Sequence, residues 1–282
     1  MGLPLGAELV KYGHEVWGVR RTAEGAEELR AVGITPVVAD VTQPETLRAL
    51  PGPFDWVVNA VSSSKGGAEV YRAVYLEGTR NLIAWLASAG VRKYVYLSST
   101  SVYGQTDGEV VTESSPTEPA TETGKILVET EQLLLAAARD QAFPAVILRL
   151  AGIYGPGRGH LFQQFLKGEA RIYDNGSRLI NMIHQRDVVG VTIAALERGV
   201  PGQIYNVVDD FPVSQRQFLE FFSELLRRPM PLHASLEEEA QRKRGLTHKR
   251  VSNRRLRGDL GYILVYPDFI AGYATEIVRH AR

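Results

Sequence analysis

The chain contains no cysteine, which excludes disulfides, thiolate metal sites and cysteine nucleophiles together. It has only six histidines in 282 residues, and no two stand at the spacing of metal ligands on one helix. No apolar run reaches the roughly 18 residues that span a bilayer, and no basic start precedes an apolar stretch as in a signal peptide. The 32 basic and 32 acidic residues cancel, so no excess charge attracts nucleic acid or a membrane. These absences predict a cytoplasmic globular protein with no metal, nucleic-acid or membrane partner.

What is present is an alternation of short runs rich in valine and isoleucine with longer amphipathic stretches. Such alternation is typical of parallel strands joined by helices. Strands are predicted over 14–19, 35–40, 55–60, 93–99, 144–150 and 203–208. Helices are predicted near 3–12, 23–31, 67–89, 124–140, 187–198, 214–227 and 269–280. The fold class is therefore α/β with a doubly wound parallel sheet.

The pattern loosens after Leu150, where the turn-rich segments GPGRGH, YDNGS and VVDDFPVS interrupt the helical stretches. Two domains are predicted on this ground. The first covers 1–150, and a smaller lobe covers 151–282, interleaved with returning sheet elements near 181–208.

The opening MGLPLG has the pattern of the end of a glycine-rich phosphate-binding loop. Gly2 is followed by a helix-forming run, by Gly13 and by a strand. In a dinucleotide-binding βαβ unit the last glycine opens the helix and lets it pack closely on the strand. Gly2 and Gly6 are therefore cofactor-site candidates. The first strand and roughly ten residues are then expected upstream of Met1. The alternative is that both glycines are ordinary small residues near a terminus.

Arg20 and Arg21 begin 18 residues after Gly2, where a site that prefers NAD carries an acidic residue. A guanidinium there can donate two parallel hydrogen bonds to a 2′-phosphate. The pair predicts NADP rather than NAD, and the alternative is a solvated basic pair. Asp40, followed by Val41, is suited to accept from the adenine amino group. The segment NAVSSS at 59–64 would line the pyrophosphate and ribose through Ala60, Val61 and Ser62.

Five further segments occur in a fixed order: GTRNL (78–82), YLSSTSVYG (96–104), ILRLAGIYGPGR (147–158), NMIHQRDVV (181–189) and YNVVDD (205–210). With them the chain resembles the extended short-chain dehydrogenase/reductase superfamily, and within it the atypical members of the NAD(P)-dependent epimerase/dehydratase family. The resemblance implies a Rossmann domain, a small C-terminal α/β substrate lobe and a homodimer through the helices near 67–89 and 124–140. It also implies further cofactor-binding positions at Leu97, Ser98, Leu150, Gly152 and Ile153.

The family's catalysis uses a serine or threonine at the end of the fifth strand together with a Tyr-x-x-x-Lys pair on the next helix. Ser99 matches the family's serine, and Thr100 is the adjacent backup. The segment PATETGKILVETE places Thr123 at the tyrosine position and Leu127 at the lysine position. The resemblance therefore implies that the usual proton relay is absent, with Thr123 retained as a catalytic candidate. Tyr103 is another candidate, although in the family this tyrosine usually packs the loop.

Substrate-binding candidates follow from the second lobe. Arg158 and the basic stretch 242–257, including Asn253, suit an anionic sugar nucleotide, because a guanidinium matches a diphosphate. The alternative for this stretch is a solvated basic face. His184 is a candidate that in the family more often orders its loop, and Asp187 is predicted to cap the following helix.

Three functions remain open from the sequence. The Ser99 loop, the GPGR loop and the complete second lobe favour an NADP-dependent reductase or epimerase/dehydratase. The missing tyrosine and lysine favour a redox-silent NADP(H)-binding regulatory protein. The third is an inactive relative retained for its interaction surface.

Overall fold

A computed structural model describes residues 1–63, 67–240 and 247–280. The helices are α1 (Gly2–Lys11), α2 (Ala26–Arg30), α3 (Gly67–Arg72), α4 (Gly78–Ala89), α5 (Glu122–Gln141), α6 (His160–Lys167), α7 (Gln185–Arg198), α8 (Gln215–Leu225), α9 (Leu236–Ala240), α10 (Arg254–Asp259) and α11 (Phe269–His280). The strands are β1 (Trp17–Arg20), β2 (Thr35–Val38), β3 (Phe54–Asn59), β4 (Val91–Ser99), β5 (Val110–Val111), β6 (Ala145–Leu150), β7 (Gly152–Tyr154), β8 (Leu179–Ile180), β9 (Met182–His184), β10 (Ile204–Val207), β11 (Val213–Ser214) and β12 (Arg250–Val251). None of the helices in these ranges is long and apolar enough to cross a membrane.

Each of the six strands predicted from valine-rich runs overlaps a strand of the structure, from β1 to β10. The predicted helix over 67–89 is divided into α3, a π-helical turn over Ala73–Glu77, and α4. The sequence shows no glycine or proline inside that turn, so propensity gives no signal for the division. The strands and helices together form the expected α/β fold.

The chain forms two compact units. The first consists of residues 1–99, 122–149 and 189–205, and the second of residues 100–121, 150–188 and 206–282. Segments near the middle of the chain therefore alternate between the units.

The sheet of the first unit is divided. β1 pairs with β2 in parallel, while β3 and β4 pair in parallel within a four-stranded sheet ordered β10-β6-β4-β3. β6 is buried along its whole length, whereas β1 and β3 are only partly buried. Aromatic rings lie between β1 and β3, with Trp17 and Phe54 at 5.7 Å. The division lies between β1 and β3, which correspond to the second and fourth strands of a doubly wound sheet; in such a sheet the first strand lies between them.

α1 packs on the first unit through its apolar face. Leu5 and Leu9 are buried with Val189 and Ile193 of α7. A Cβ on Gly6 would meet Ile34 Cδ1 at 2.5 Å, so this position brings the helix close to the start of β2. The helix therefore packs between α7 and the start of β2 within the first unit.

The second unit has a separate core of aromatic side chains. Phe162, Phe218, Phe222, Phe269 and Tyr273 pack together from α6, α8 and α11. Its strands are short and form three two-stranded pairs, β7 with β9, β8 with β11 and β5 with β12. Two- and three-residue strands lack the length over which periodicity can be read, which is why the sequence did not predict them.

Candidate functional site

The strands of the first unit that hold predicted cofactor residues end near Arg20, Asp40, Asn59 and Ser99. Ligands of open α/β sheets bind outside the carboxyl ends of the strands. This edge is therefore the candidate cofactor site of the first unit.

The two glycines of α1 have different surroundings. Gly2 begins the helix, Met1 provides no side-chain cap, and nothing lies within 4 Å of a Cβ built on Gly2. Amide groups of an uncapped first turn suit an anion, and a glycine there leaves room for its approach. The close helix–strand packing expected of Gly2 is provided by Gly6 instead.

Arg20 ends β1 and lies half-buried, with its Nη2 3.6 Å from the Glu28 carboxylate. Glu28 is 67% exposed, so this pair is weak and is screened by solvent. Arg21 is exposed, and the structure gives its guanidinium no ion pair with any residue that it describes. Both side chains are therefore accessible to an anionic ligand.

Asp40 is oriented by its own loop. Its Oδ1 accepts from the amide and the hydroxyl of Thr42, at 2.9 and 2.8 Å, and its amide donates to Thr46. Asn81 of α4 donates to the Val41 carbonyl at 2.8 Å. The loop proposed to face the adenine is thus fixed by neighbours within the first unit.

Asn59 ends β3 with its side chain buried. Its amide nitrogen donates to the Thr79 hydroxyl at 3.1 Å and to the Tyr94 hydroxyl at 2.8 Å, and its carbonyl oxygen accepts from the amide of Val61. Three residues predicted to line the pyrophosphate and ribose belong to the loop held in this way: Ala60, Val61 and Ser62. Asn59 is a site-shaping residue that the sequence prediction missed.

Ser98 faces a buried ion pair. Its hydroxyl donates to Glu131 Oε1 at 2.6 Å, and Arg149 donates to both oxygens of the same carboxylate. The Glu131 and Arg149 side chains are only 3–4% exposed. Leu97 is also buried, and Ser99 at the end of β4 is half-buried. The hydroxyl of Ser98 is therefore engaged within the first unit.

Helix α5 carries Thr123 and Leu127, the two residues that the sequence analysis aligned with the family's relay pair. Thr123 is exposed in the first turn, while Leu127 is fully enclosed by the first unit. Leucine has no titratable group, so this position supplies no charge to a neighbouring hydroxyl.

Several predicted residues belong to the second unit. Thr100 is buried and begins a 3₁₀ turn over Thr100–Val102. Tyr103 is fully buried, and its hydroxyl lies 2.9 Å from the Thr112 carbonyl and 2.8 Å from Asn206 Oδ1. These contacts favour the packing role that the sequence left open for Tyr103. Leu150 is buried, and two further candidates lie in β7: Gly152 and Ile153.

Two substrate-binding candidates of the second unit are Arg158 and Asn253. Arg158 is exposed on a tight turn, in which its amide donates to the Gly155 carbonyl at 2.9 Å. The structure shows no ion pair of its guanidinium within the described ranges. The Asn253 amide donates to the Val208 carbonyl and to Asp210, which also accepts from Arg257.

His184 is buried against aromatic rings, with Tyr266 at 3.9 Å and Tyr154 at 5.2 Å. Its Nδ1 accepts from the amide of Arg186 at 3.1 Å. Burial, and after it the charge of Arg186, lowers the pKa of His184 to about 4, so the ring is neutral at physiological pH. These contacts favour the loop-ordering alternative for His184.

Asp187 lies inside α7 rather than at its N-cap, so the capping prediction is wrong. Its carboxylate accepts from the amides of Val265 and Tyr266, at 2.7 and 3.0 Å, and from the Tyr262 hydroxyl. It therefore holds the segment that precedes α11. The donors come from a distant part of the chain, which the local sequence does not indicate.

Within 1–63, 67–240 and 247–280, no group of three or more histidine or acidic side chains could hold a metal ion.

Comparisons with known proteins give a consistent result. The model of the NAD dependent epimerase/dehydratase family matches residues 1–207. Protein YeeZ of Escherichia coli is 27% identical over 276 residues, covering 95% of this chain and 93% of YeeZ. The structure of a putative NAD-dependent epimerase/dehydratase from Methylobacillus flagellatus is 30% identical, with a TM-score of 0.76 over 99% of this chain and 95% of that one.

A third comparison concerns the fold alone. DesIV, a dTDP-glucose 4,6-dehydratase from Streptomyces venezuelae solved with NAD bound, is 21% identical. Its TM-score is 0.85, over 98% of this chain and 92% of that chain.

Proposed function

Because the chain belongs to the NAD-dependent epimerase/dehydratase family, we propose that it is an NAD(P)-dependent oxidoreductase that prefers NADP and acts on an anionic, nucleotide-sugar-like substrate. The observation that supports this proposal is the composition of one edge of the first unit. This edge includes the accessible side chains of Arg20 and Arg21, the first turn of α1 without a side-chain cap, and Ser99 at the end of β4. The second unit would bind the substrate.

The residues of this edge fit a dinucleotide. The first turn of α1 would hold the pyrophosphate, Arg20 and Arg21 the 2′-phosphate, and Asp40 the adenine amino group. When bound, the nicotinamide accepts or supplies a hydride. Ser99 would donate a hydrogen bond to the substrate oxygen on which charge develops.

The substrate class rests on the relatives and on charge. Dehydratases that resemble this chain act on dTDP-D-glucose, as the mouse enzyme does by its name. The exposed guanidinium of Arg158 would bind a diphosphate of this kind, and the amide of Asn253 lies beside a second arginine, Arg257.

A second candidate function is a redox-silent NADP(H)-binding regulatory protein. It is favoured by Thr123 and by the buried Leu127, which leave the proposed site without the relay pair of the family. The two candidates share the cofactor and differ in turnover.

We also propose a cytoplasmic homodimer. A groove between α4 and α5 is lined partly by apolar residues, among them Ile83, Ala84, Leu133 and Ala136. Burial of such a groove against a second copy would stabilise a dimer through the hydrophobic effect.

The decisive experiment is a fluorescence titration of the protein with NADPH and NADH, followed by a screen of sugar nucleotides monitored by nicotinamide absorbance. No binding of either cofactor would rule out both candidates. Binding without turnover of any substrate would favour the regulatory protein.

Replacement Arg20→Glu is expected to lower the ratio of NADPH to NADH affinity by about tenfold or more, because a charge-assisted phosphate contact becomes a repulsion. The measurement is the pair of dissociation constants from the titration above. Arg30→Glu is the matched control, since Arg30 is an exposed arginine at the end of α2 that pairs with Glu27. An unchanged ratio in Arg20→Glu would show that this arginine does not select the cofactor.

Replacement Ser99→Ala is expected to lower kcat by about 100-fold while cofactor affinity stays within about twofold, because the hydroxyl acts on developing charge. Steady-state kinetics on the substrate found in the screen measure this. Ser101→Ala, an exposed serine of the same loop, is the control. Equal losses of kcat and cofactor affinity would contradict the assigned role.

A further inference from the structure

Lys249 is a buried cation in the second unit to which the proposed function gives no role. The residue is 5% exposed, and its Nζ donates to the Tyr103 carbonyl at 3.0 Å. Among the described residues, the Tyr103 carbonyl is the acceptor that the structure gives to the Lys249 Nζ. No carboxylate of these residues lies at ion-pair distance from that nitrogen. An ammonium group has three donors, so two N–H groups remain without a described acceptor.

The position of Lys249 is fixed by its main chain. The Asn181 side chain donates to the Lys249 carbonyl at 3.0 Å and accepts from the Val251 amide at 2.9 Å. On the other side, β12 pairs in parallel with β5. The main chain at Lys249 is therefore held by hydrogen bonds to Asn181 and by the pairing of β12 with β5. These contacts fix the buried position of the lysine.

The acceptor of Lys249 belongs to a loop of functional interest. The Tyr103 carbonyl follows directly after the Thr100–Val102 turn, whose first residue is a catalytic candidate. The ammonium group therefore lies at the end of the turn that begins next to Ser99 in the sequence.

The energetics of this arrangement call for an anion. Burial of a charge without a counter-charge is costly, because the group loses its hydration and gains no partner. In agreement, burial lowers the pKa of Lys249 to about 8. A ligand oxygen that carries negative charge would satisfy the open N–H groups and offset the cost of burial.

We propose that Lys249 is an anion-binding residue that takes a carboxylate or phosphate oxygen of the substrate on its two open N–H groups. The inference rests on the proposed function and adds a residue to its substrate site. The ligand must carry an anionic oxygen on a group small enough to reach the buried ammonium of Lys249.

The test compares Lys249→Met with Lys167→Met. Lys167 ends α6 in the same unit and is exposed, so the two changes remove the same side chain and charge, one from the interior and one from the surface. Calorimetric titrations use UDP as the phosphate probe and glucuronate as the carboxylate probe, each with and without NADPH. We expect the affinity for at least one probe to fall by about 30-fold or more in Lys249→Met, and to stay within about twofold in Lys167→Met. The probe that loses affinity identifies the anionic group.

The outcome is separable from that of the proposed function, whose first test is the binding of NADPH. Lys249→Met is expected to bind NADPH as the wild type does, and Lys249→Arg to recover most of the probe affinity. If the wild type binds neither probe, or if Lys249→Met binds both equally well, the inference is overturned.

A measurement on the wild type covers the case in which Lys249→Met does not fold. With lysine labelled at its ε-carbon, the Lys249 signal is assigned by comparison with Lys249→Arg. The signal is expected to shift when the probe is added. No shift at saturating probe would overturn the inference.

Discussion

Replacement Glu131→Gln is expected to lower the free energy of unfolding by about 3–5 kcal/mol, because it leaves a buried guanidinium without its carboxylate. Arg149 donates to both oxygens of Glu131, with the shortest contact at 2.6 Å, and both side chains are nearly inaccessible to water. A glutamine oxygen accepts one of these bonds but does not balance the charge. Ser98 loses its charged acceptor as well. Urea unfolding followed by far-UV circular dichroism measures the loss.

The same helix offers a matched control. Glu129 makes a bidentate pair with Arg72, at 2.6 and 2.9 Å, but its side chain is 43% exposed. Solvent screening limits such a pair to roughly 0–1 kcal/mol. Similar losses in Glu129→Gln and Glu131→Gln would show that burial is not what makes the second pair important.

A double replacement gives an independent check. With Glu131→Leu and Arg149→Met together, no uncompensated charge remains in the interior, and much of the lost stability is expected to return. A double variant as unstable as Glu131→Gln would contradict the explanation by unpaired charge.

Replacement Asp209→Asn is expected to raise the free energy of unfolding on the order of 4 kcal/mol at pH 8. Asp209 is 2% exposed and accepts from the Phe211 amide at 3.3 Å, and its Oδ2 has no hydrogen-bond partner in the described part of the chain. Burial, and after it the neighbouring acidic groups, raises its pKa to about 8. An asparagine keeps the shape of the side chain and carries no charge.

The sign of the pH dependence follows from proton uptake. An unfolded aspartate releases its proton near pH 4, whereas the native group keeps it until about pH 8. Between these values the native state binds more protons, so wild-type stability falls by about 1.4 kcal/mol per pH unit as the pH rises. The advantage of Asp209→Asn is therefore expected to be largest near pH 8 and to vanish near pH 4.

Urea unfolding of wild type and variant at pH 4, 6 and 8 measures this difference. Asp259→Asn is the control, because Asp259 is exposed at the end of α10 and its replacement should leave the pH dependence unchanged. A constant difference between Asp209→Asn and wild type at all three pH values would show that Asp209 is ionised in the native state.

The sequence alone determined the fold class and the order of the main strands. The runs YVYL (94–97) and PAVIL (144–148) are apolar throughout, in agreement with β4 and β6, which are largely or wholly buried. Ser99 follows two residues after the first of these runs, which placed it near a strand end. Family motifs then identified the chain as an epimerase/dehydratase relative, and the family model agrees over residues 1–207. Preference for NADP stays a prediction from Arg20 and Arg21.

Tertiary structure alone decided which polar side chains are engaged by distant parts of the protein. The hydroxyl of Ser98, for example, is engaged by Glu131, 33 residues away. In the sequence, Lys249 belongs to the basic stretch 242–257, for which a solvated face was one alternative. In the structure its side chain is buried and donates to the Tyr103 carbonyl. The spacing of apolar residues along the sequence predicts which face of a helix or strand is buried, because that spacing repeats over a few residues. The partners of a buried polar group come from distant segments, so only the packed chain fixes them.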